Sequence, residues 1–119
     1  MPRRKGRESI PLVVVHTHNH SDHTAGDAQF KNLPNVTFVS AELEDMQTFF
    51  GFTRWPEQVV QYELGGRTLD IFGVPGHQKA SIAVYDRRTA ILLTGDIVYP
   101  GRLYIDDPAA FAASIDRLV

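Results

Sequence analysis

The apolar residues of the chain fall into runs and alternations that predict several short strands. Leu12 to Val15 is a continuous run rich in β-branched residues, and it predicts a strand buried on both faces, as in the middle of a sheet. Val36 to Val39 predicts another short strand. Gln58 to Leu64 and Arg67 to Val74 have the period of strands and flank Gly65-Gly66, which predicts a hairpin with a two-residue turn.

A second hairpin and three helices follow from the rest of the pattern. Ser81 to Tyr85 and Ala90 to Thr94 are predicted to pair across the turn between them. The predicted helices are Ala25 to Lys31, Ala41 to Phe50 with Ser40 as its N-cap, and a C-terminal helix that begins at Asp107-Pro108. The pattern therefore predicts short strands and short helices, and it contains no internal repeat.

The composition limits the classes of protein to which the chain can belong. It has 119 residues, of which 43% are hydrophobic and 22% are charged, and this predicts one soluble globular domain. The absence of cysteine excludes a disulfide framework, thiolate zinc ligands and a cysteine nucleophile. A formal charge of -2 argues against nucleic acid or a membrane surface as a partner, and no apolar run is long enough to span a bilayer. The cytoplasm is the expected compartment.

The most informative feature is a cluster in which four of the five histidines lie within eight positions. Residues 17–26 have the sequence Thr-His-Asn-His-Ser-Asp-His-Thr-Ala-Gly. Side chains two apart in an extended segment point the same way, so His18 and His20 can reach one metal ion. The offset of Asp22 and His23 lets them face a second ion, which is the arrangement of a two-metal hydrolase. Neutral imidazoles with carboxylates suit zinc first, with iron, manganese and cobalt as alternatives.

Two later residues are candidates for further ligands. His77 follows Val74-Pro75-Gly76 at the end of a predicted strand, where a loop can turn its imidazole back over the sheet edge. Asp96 follows Leu93-Thr94-Gly95 at the end of another predicted strand. The glycine before Asp96 allows the backbone to approach the site closely.

Three segments, Thr17 to Gly26, Pro75-Gly76-His77 and Thr94-Gly95-Asp96, resemble in order and spacing the metal-binding motifs of the metallo-β-lactamase superfamily. The resemblance implies an α/β (α+β) fold, in which a metallo-β-lactamase-like mixed β-sheet with flanking helices forms part of an αββα sandwich. It also implies a division of the ligands between two metal ions. The first ion would be held by His18, His20 and His77, the second by Asp22 and His23, and Asp96 would bridge the two.

Two departures from the family pattern concern the completeness of the domain. Family members carry a last histidine ligand in a strand beyond the bridging aspartate, and no histidine follows His77 here. The family domain also begins with strands upstream of the first motif, for which at most eleven residues are present. We therefore expect residues 1–10 to form a basic arm and residues 11–119 to form one metallo-β-lactamase-like domain that is incomplete at both ends.

The missing parts of the family domain would normally cover a sheet edge and an apolar stripe on the last helix. The stripe consists of Phe111, Ile115 and Leu118. Exposed apolar surface of this kind marks an interface or an aggregation risk, so we expect self-association into a homodimer. The partner chain is then one possible source of the missing ligand.

The activity that the resemblance implies is metal-assisted hydrolysis of a small-molecule ester, thioester, amide or phosphoester. The metal lowers the pKa of a bound water to about 7, and the resulting hydroxide attacks carbon or phosphorus. Asp22 is the predicted catalytic residue, since it would orient the nucleophile as well as ligate. Two alternatives stay open: a catalytically weak or inactive metal-binding chain that lacks the last histidine ligand, and a mononuclear iron oxygenase of the same superfamily.

Several residues near these motifs are expected to be structural. His16 points to the same side as His18 and His20 but corresponds to no family position, so a buried hydrogen-bonding role is favoured over metal ligation. Alanine at His18 or His20 should abolish metal binding at the first site, and alanine at His16 should spare it. Four aromatic residues are expected in the core or an interface rather than in a substrate pocket: Phe49, Phe50, Phe52 and Trp55.

Overall fold

The computed structural model describes residues 10–119, and the predicted basic arm of residues 1–10 lies outside this range except for Ile10. Three α-helices and six strands are formed in this part of the chain. The strands are β1 (Leu12–Val14), β2 (Val36–Phe38), β3 (Val59–Glu63), β4 (Thr68–Gly73), β5 (Ile82–Asp86) and β6 (Ile91–Leu93). The helices are α1 (Ser21–Thr24), α2 (Leu43–Phe50) and α3 (Pro108–Leu118), with a short 3₁₀ helix at Asp27–Gln29. The predicted mixture of helices and strands is confirmed.

The strands of the described residues form two separate sheets. β1 and β2 pair in parallel, with Val13 opposite Thr37, while β3, β4, β5 and β6 form an antiparallel sheet in that order. The prediction that β1 lies in the middle of a sheet, buried on both faces, is wrong. Its three residues are half-buried, because β2 is the only strand that pairs with it within residues 10–119.

Both predicted hairpins are confirmed. β3 and β4 pair from Val59 opposite Phe72 to Glu63 opposite Thr68, and β5 pairs with β6 across the next turn. The turn at Gly65-Gly66 is closed by the Leu64 backbone N–H, which donates to the Arg67 carbonyl over 2.8 Å. Turn chemistry and alternation are local properties, so the sequence is sufficient to place these strands.

The four-stranded sheet is covered by one helix on each face. Ile71 pairs with Val84, and the next residue, Phe72, pairs with Ala83, so these two pairs face opposite sides of the sheet. Met46 of α2 packs in the cluster that contains Ile71 and Val84, whereas α3 packs on the cluster that contains Ala83 and Phe72. Each fully buried isoleucine side chain contributes roughly 2 kcal/mol of hydrophobic stabilisation. The two helices therefore secure the sheet from both sides.

The apolar stripe of α3 is covered within the chain, so the prediction that it is exposed is wrong. Phe111, Ile115 and Leu118 pack against the buried residues Val74 and Ile97. The helix folds back over the sheet after a long loop, and the stripe therefore meets the sheet of its own chain.

The four aromatic residues near α2 also lie in a core, as predicted. Phe50 is buried, and the other three pack around it: Phe49, Phe52 and Trp55. Their rings meet edge to face, as in the pair of Phe52 and Trp55 with centroids 5.0 Å apart.

Two predicted helices differ from the observed ones. Residues 25–31 form no continuous helix, and the only regular element within them is the 3₁₀ helix at Asp27–Gln29, which follows Gly26. A seven-residue segment has too few hydrogen bonds to offset the cost of helix nucleation. The second helix begins at Leu43 rather than Ala41, so the prediction of Ser40 as its N-cap is wrong: Glu42 is the N-cap, without a side-chain cap bond. The Ser40 hydroxyl instead accepts a hydrogen bond from the Glu42 backbone over 3.2 Å, ahead of the first turn.

Among residues 10–119, none of the helices combines the length and the apolar character that crossing a lipid bilayer requires.

Candidate metal centre

The candidate ligands come from three loops that follow strands. The segment of residues 15–24 follows β1, His77 lies in the loop after β4, and Asp96 lies in the loop after β6. The first of these loops is joined to β5 because the Ile82 backbone N–H donates to the Thr17 carbonyl over 2.8 Å. This bond brings the end of β1 to the edge of the four-stranded sheet where the other two loops lie.

Three histidines form the first candidate ligand group. One nitrogen atom from each of His18, His20 and His77 lies within 4.8 Å of the others. His77 Nε2 is 3.1 Å from His20 Nδ1, and the rings of His18 and His77 meet edge to face with centroids 5.0 Å apart. The sequence predicted these three residues as the ligands of one ion, and the fold brings them together.

A second candidate group contains His18, His23 and Asp96, whose ligand atoms also lie within 4.8 Å of one another. Asp96 Oδ2 is 3.1 Å from His23 Nε2 and 3.6 Å from His18 Nε2. The same oxygen is 3.7 Å from His77 Nε2, so the Asp96 carboxylate of the second group also lies beside a histidine of the first group. The predicted bridging role of Asp96 is consistent with this position.

Asp22 lies at the margin of the cluster. Its side chain is 75% exposed, and Oδ2 is 3.5 Å from His23 Nε2. The structure therefore places Asp22 beside His23 but in neither of the two groups of three. Its predicted roles as a ligand of the second ion and as the catalytic residue stay predictions.

His18 has the most unusual electrostatic environment of the cluster. Its side chain is 1% exposed, and Nε2 is buried without a hydrogen-bond partner in the described part of the chain. Burial, and then the neighbouring histidines His23, His20 and His77, lower the pKa of His18 to about 4, against the opposing effect of Asp96. His18 is therefore neutral at pH 7. Its Nδ1 lies 3.0 Å from the Thr17 hydroxyl, and the tautomer in which Nδ1 donates to that hydroxyl leaves the Nε2 lone pair for a metal ion.

His77 is oriented by the loop that precedes α3. His77 Nδ1 donates to the Tyr104 carbonyl over 2.7 Å, and the ring then turns its Nε2 towards His20. The backbone N–H groups of Asp106 and Asp107 both donate to the Gly76 carbonyl, over 2.7 and 2.9 Å. Hydrogen bonds of this kind fix the tautomer and the ring orientation of a histidine ligand.

Two glycines allow the loops to approach each other. A Cβ atom on Gly95 would lie 2.8 Å from Thr17 Cβ, and one on Gly76 would lie 2.5 Å from the Phe111 backbone. Both residues have positive φ angles, 56° for Gly95 and 140° for Gly76, which L side chains rarely adopt. The predicted close approach of the backbone before Asp96 is thus confirmed.

The donor atoms of the cluster fit a transition metal. Three imidazole nitrogens converge, one of them buried and unpartnered at His18 Nε2, and a carboxylate lies beside them at Asp96. An unsatisfied buried nitrogen costs free energy unless another group binds it, and neutral imidazoles with carboxylates are the ligands that zinc takes in proteins. The residues present are therefore suited to the metal that the sequence implied.

His16 is not part of either ligand group. Its side chain is 4% exposed, and Nε2 donates to Asp27 Oδ1 over 2.7 Å. The prediction of a buried hydrogen-bonding role is confirmed.

Two residues that support the site were missed by the sequence analysis. The Gln78 side-chain carbonyl accepts from the backbone of Asn19 over 3.2 Å and from that of Ala80 over 2.8 Å, and the Tyr104 carbonyl orients His77. These contacts depend on loops that meet only in the folded chain. No local sequence signal identifies them.

A cavity of about 500 Å³ opens beside the first ligand group. His20 and His77 form part of its wall, together with Lys79 and Tyr104. The first ligand group therefore borders a space large enough for a small-molecule ligand.

Helices on both faces of an antiparallel sheet, with a histidine-rich ligand cluster in the loops that follow the strands, define a mixed α/β protein with a candidate metal centre. A family model described as the metallo-beta-lactamase superfamily matches residues 5–118, and the chain belongs to this superfamily.

The chain is similar to enzymes of two kinds. The hydroxyacylglutathione hydrolase of Gloeothece citriformis is 31% identical over 116 residues, which cover 90% of this chain and 45% of that protein. The enzyme of the same name from Aeromonas hydrophila is 31% identical over 110 residues, or 89% of this chain and 42% of that protein. The human acyl-coenzyme A thioesterase MBLAC2 is 31% identical over 122 residues, or 78% of this chain and 43% of that protein. The chain thus spans less than half the length of these curated relatives.

Proposed function

We propose that the protein is a metal-dependent hydrolase. The observation that carries this proposal is the convergence of four histidines and one aspartate, in two groups whose ligand atoms lie within 4.8 Å of one another. The superfamily match over residues 5–118 supports it, since the relatives described above are named as hydrolases or thioesterases.

Zinc is the metal we propose, with two ions per chain. His18, His20 and His77 would hold the first ion, His23 and Asp22 would hold the second, and Asp96 would contact both. When bound, zinc supplies an activated water and polarises the carbonyl group of a substrate. The cytoplasm stays the expected compartment, and the -2 charge favours a small-molecule substrate over nucleic acid or a membrane surface.

The residues around the centre suggest how the chain would contribute to hydrolysis. The buried, neutral His18 keeps its lone pair for ligation at pH 7, and the Tyr104 carbonyl holds His77 in the tautomer that a ligand needs. The exposed Asp22 carboxylate would accept a hydrogen bond from the attacking water and orient it. The cavity beside His20 and His77 would receive the acyl group.

A thioester is the substrate class that we propose. The names of the relatives describe a hydroxyacyl group on glutathione and an acyl group on coenzyme A, and in both the acyl group is carried on sulfur. Hydrolysis would break the carbon–sulfur bond, form a carbon–oxygen bond from water, and release a carboxylic acid and a thiol.

The experiment that tests this proposal compares the hydrolysis of an acyl thioester, an oxygen ester, an amide and a phosphoester by the zinc-loaded protein. We expect the thioester to be cleaved fastest. We also expect the His18→Ala variant to lose about 100-fold or more in kcat/KM, because His18 is a proposed ligand of the first ion, and loss even of a residue that supports a ligand typically costs about 10- to 100-fold. Equal rates for the wild type and this variant would contradict the proposal.

Metal analysis separates the proposal from the two alternatives raised by the sequence. Two zinc ions per chain with thioester hydrolysis would support the proposed enzyme. About one ion with little hydrolysis would favour a catalytically impaired metal-binding protein. Iron with absorbance changes under oxygen would favour the mononuclear oxygenase.

A further inference from the structure

The hydrogen-bonded pair of His16 and Asp27 spans the loop that carries four of the candidate ligands, His18, His20, Asp22 and His23. His16 lies directly after the β1 region, and Asp27 begins the 3₁₀ helix that follows α1. His16 Nε2 donates to Asp27 Oδ1 over 2.7 Å, and the exposed fractions of the two side chains are 4% and 23%. The His16 ring also meets the Phe38 ring of β2 edge to face, with centroids 5.7 Å apart. One end of the pair is thus fixed to the parallel sheet.

The first half of this loop has its own attachments to the rest of the protein. The Thr17 carbonyl accepts a hydrogen bond from Ile82 of β5 over 2.8 Å, directly before the buried His18. The Asn19 backbone donates to Gln78 over 3.2 Å, and its side-chain amide donates to Glu42 over 3.1 Å. The positions of His18 and His20 are therefore set without the contact between His16 and Asp27.

The second half of the loop, which carries His23, has few attachments. Helix α1 has four residues, none of which is buried, and its N-terminus has no side-chain cap. Within residues 10–119, the side-chain hydrogen bonds and ion pairs of α1 are those of His23 with Asp96 and Asp22, which are themselves candidate ligands. The bond from His16 to Asp27 ties down the chain directly beyond α1.

We propose that the His16–Asp27 pair is a positioning device for the second metal site. It holds α1 against the parallel sheet, so that His23 lies within reach of Asp96. The inference rests on the proposed metal centre, and His16 and Asp27 act through His23 rather than as ligands. Loss of either side chain then weakens the second site selectively, because the first site has separate attachments.

Zinc titration with a competing chelator tests this inference on four chains: wild type, His16→Ala, Asp27→Ala and His16→Gln. Hydrogen-bonded residues that orient metal ligands typically affect metal affinity by about 10- to 100-fold. We expect an increase of that size in the dissociation constant of the second zinc for both alanine variants, with the first unchanged. Glutamine can donate from an atom placed like His16 Nε2, so His16→Gln should retain most of the affinity.

Two controls separate positioning from general destabilisation. Asp27 is partly exposed, so Asp27→Ala removes the contact without opening a buried cavity. Asp70→Ala removes another paired aspartate, which binds Arg87 on the four-stranded sheet, and should leave both zinc affinities unchanged. The double variant of His16 and Asp27 should bind the second zinc no more weakly than either single variant, since both residues act through one bond.

Amide hydrogen exchange of the metal-free protein gives a readout that does not depend on zinc. Residues 21–27 should exchange faster in His16→Ala and Asp27→Ala than in the wild type, and His16→Gln should restore slow exchange. Unchanged exchange with unchanged second-zinc affinity in both alanine variants would overturn the inference. A wild-type chain that binds no zinc would overturn the proposed function, and the exchange rates would still decide whether the pair holds α1.

Discussion

At the scale of single residues, the His18 side chain links the electrostatics of the protein to its proposed chemistry. It is the only member shared by the two candidate ligand groups, and it is the only histidine of residues 10–119 that is buried as a whole residue. Burial keeps it neutral, and its free Nε2 faces the Asp96 carboxylate at 3.6 Å. Small displacements of its neighbours should therefore affect both proposed metal sites.

The Gly95→Ala substitution tests how closely the backbone must approach this histidine. The new Cβ atom would lie 2.8 Å from Thr17 Cβ, so either Thr17 or the loop that carries Asp96 must move. We expect zinc affinity to fall by about tenfold or more, measured by chelator competition. Gly65→Ala is the matched control, because Gly65 also has positive φ but has open space around its Cβ position. Similar zinc affinities in the two variants would show that the close approach does not position the ligands.

The ion pair of Arg67 and Asp86 predicts how stability depends on pH. Arg67 Nε lies 3.2 and 3.1 Å from the two carboxylate oxygens of Asp86, and this hydrogen bonding holds the pKa of Asp86 well below its ordinary value. A lowered pKa in the folded state stabilises the protein above the ordinary carboxyl range, near pH 4, and the contribution disappears as the pH falls towards the lowered pKa.

We therefore expect Asp86→Asn to lower the melting temperature at pH 7 and the difference from the wild type to shrink progressively below pH 4. Thermal melts between pH 7 and pH 2 measure it. Asp116→Asn is the control, because within residues 10–119 the Asp116 side chain forms no hydrogen bond or ion pair, although its backbone lies in α3. A constant difference across that range would contradict the assignment of the effect to the ionised carboxylate.

At the scale of secondary-structure elements, helix α3 supports the loop that carries His77. Ser114 is fully buried, and its hydroxyl donates to the Pro75 carbonyl over 2.6 Å. Arg117 donates to Ser114 over 3.1 Å and to the Gly73 carbonyl over 3.0 Å. The C-terminal half of the helix is thus bonded to the residues that lead from β4 into the site.

Substitution of Ser114 by alanine should destabilise the protein by about 1–3 kcal/mol, because the buried Pro75 carbonyl loses its hydrogen-bond donor. Urea denaturation measures the change, with Asp116→Ala on the exposed side of the same helix as the control. We expect the control to change stability by less than about 0.5 kcal/mol. An equal change in the free energy of unfolding for the two substitutions would contradict the stabilising role assigned to the hydrogen bond from Ser114 to Pro75.

Elements defined by local signals could be predicted from the sequence, and those shaped by tertiary contacts could not. Asp107 caps α3 as predicted, accepting from the Ala110 backbone over 3.1 Å, because a cap depends on residues three positions apart. Residues 25–31 were predicted as one helix, yet only a short 3₁₀ helix forms at Asp27–Gln29, where Asp27 bonds to His16. That bond depends on how the chain turns after β1.

At the scale of the whole molecule, the candidate ligands within residues 18–23 could be predicted from the spacing of imidazole and carboxylate groups, whereas His77 and Asp96 were predicted from their positions after strands and from the resemblance to the family. Their support could not be identified in this way. The Tyr104 carbonyl and the Gln78 side chain reach the site across 27 and 59 positions of the chain, through loops of different elements. The apolar stripe of α3 was predicted to be exposed for the same reason. The residues that cover it, such as Val74 and Ile97, are distant in sequence and meet the helix only in the folded chain.

Self-association stays a prediction, now based on the sheet edge alone. β6 pairs with β5 only, within the described residues, and Ile91 and Leu93 are each 54% exposed. We expect light scattering at high concentration to give a mass above the 13.3 kDa of one chain, because an exposed apolar edge strand favours pairing with a second copy. Ile91→Lys should lower that mass, while Leu103→Lys in an exposed loop should not. A wild-type monomer at all concentrations would contradict the prediction.

The central claim is that the histidine and aspartate cluster is a metal centre, and a zinc titration of the metal-free protein tests it most directly. Isothermal calorimetry of the wild type and of His18→Ala measures both the stoichiometry and the affinity. The account predicts two zinc ions per wild-type chain and loss of tight binding at the first site in the variant, since His18 is one of the three histidines proposed to hold that ion. A wild-type chain that binds no zinc, or a variant that binds zinc as tightly as the wild type, would contradict it.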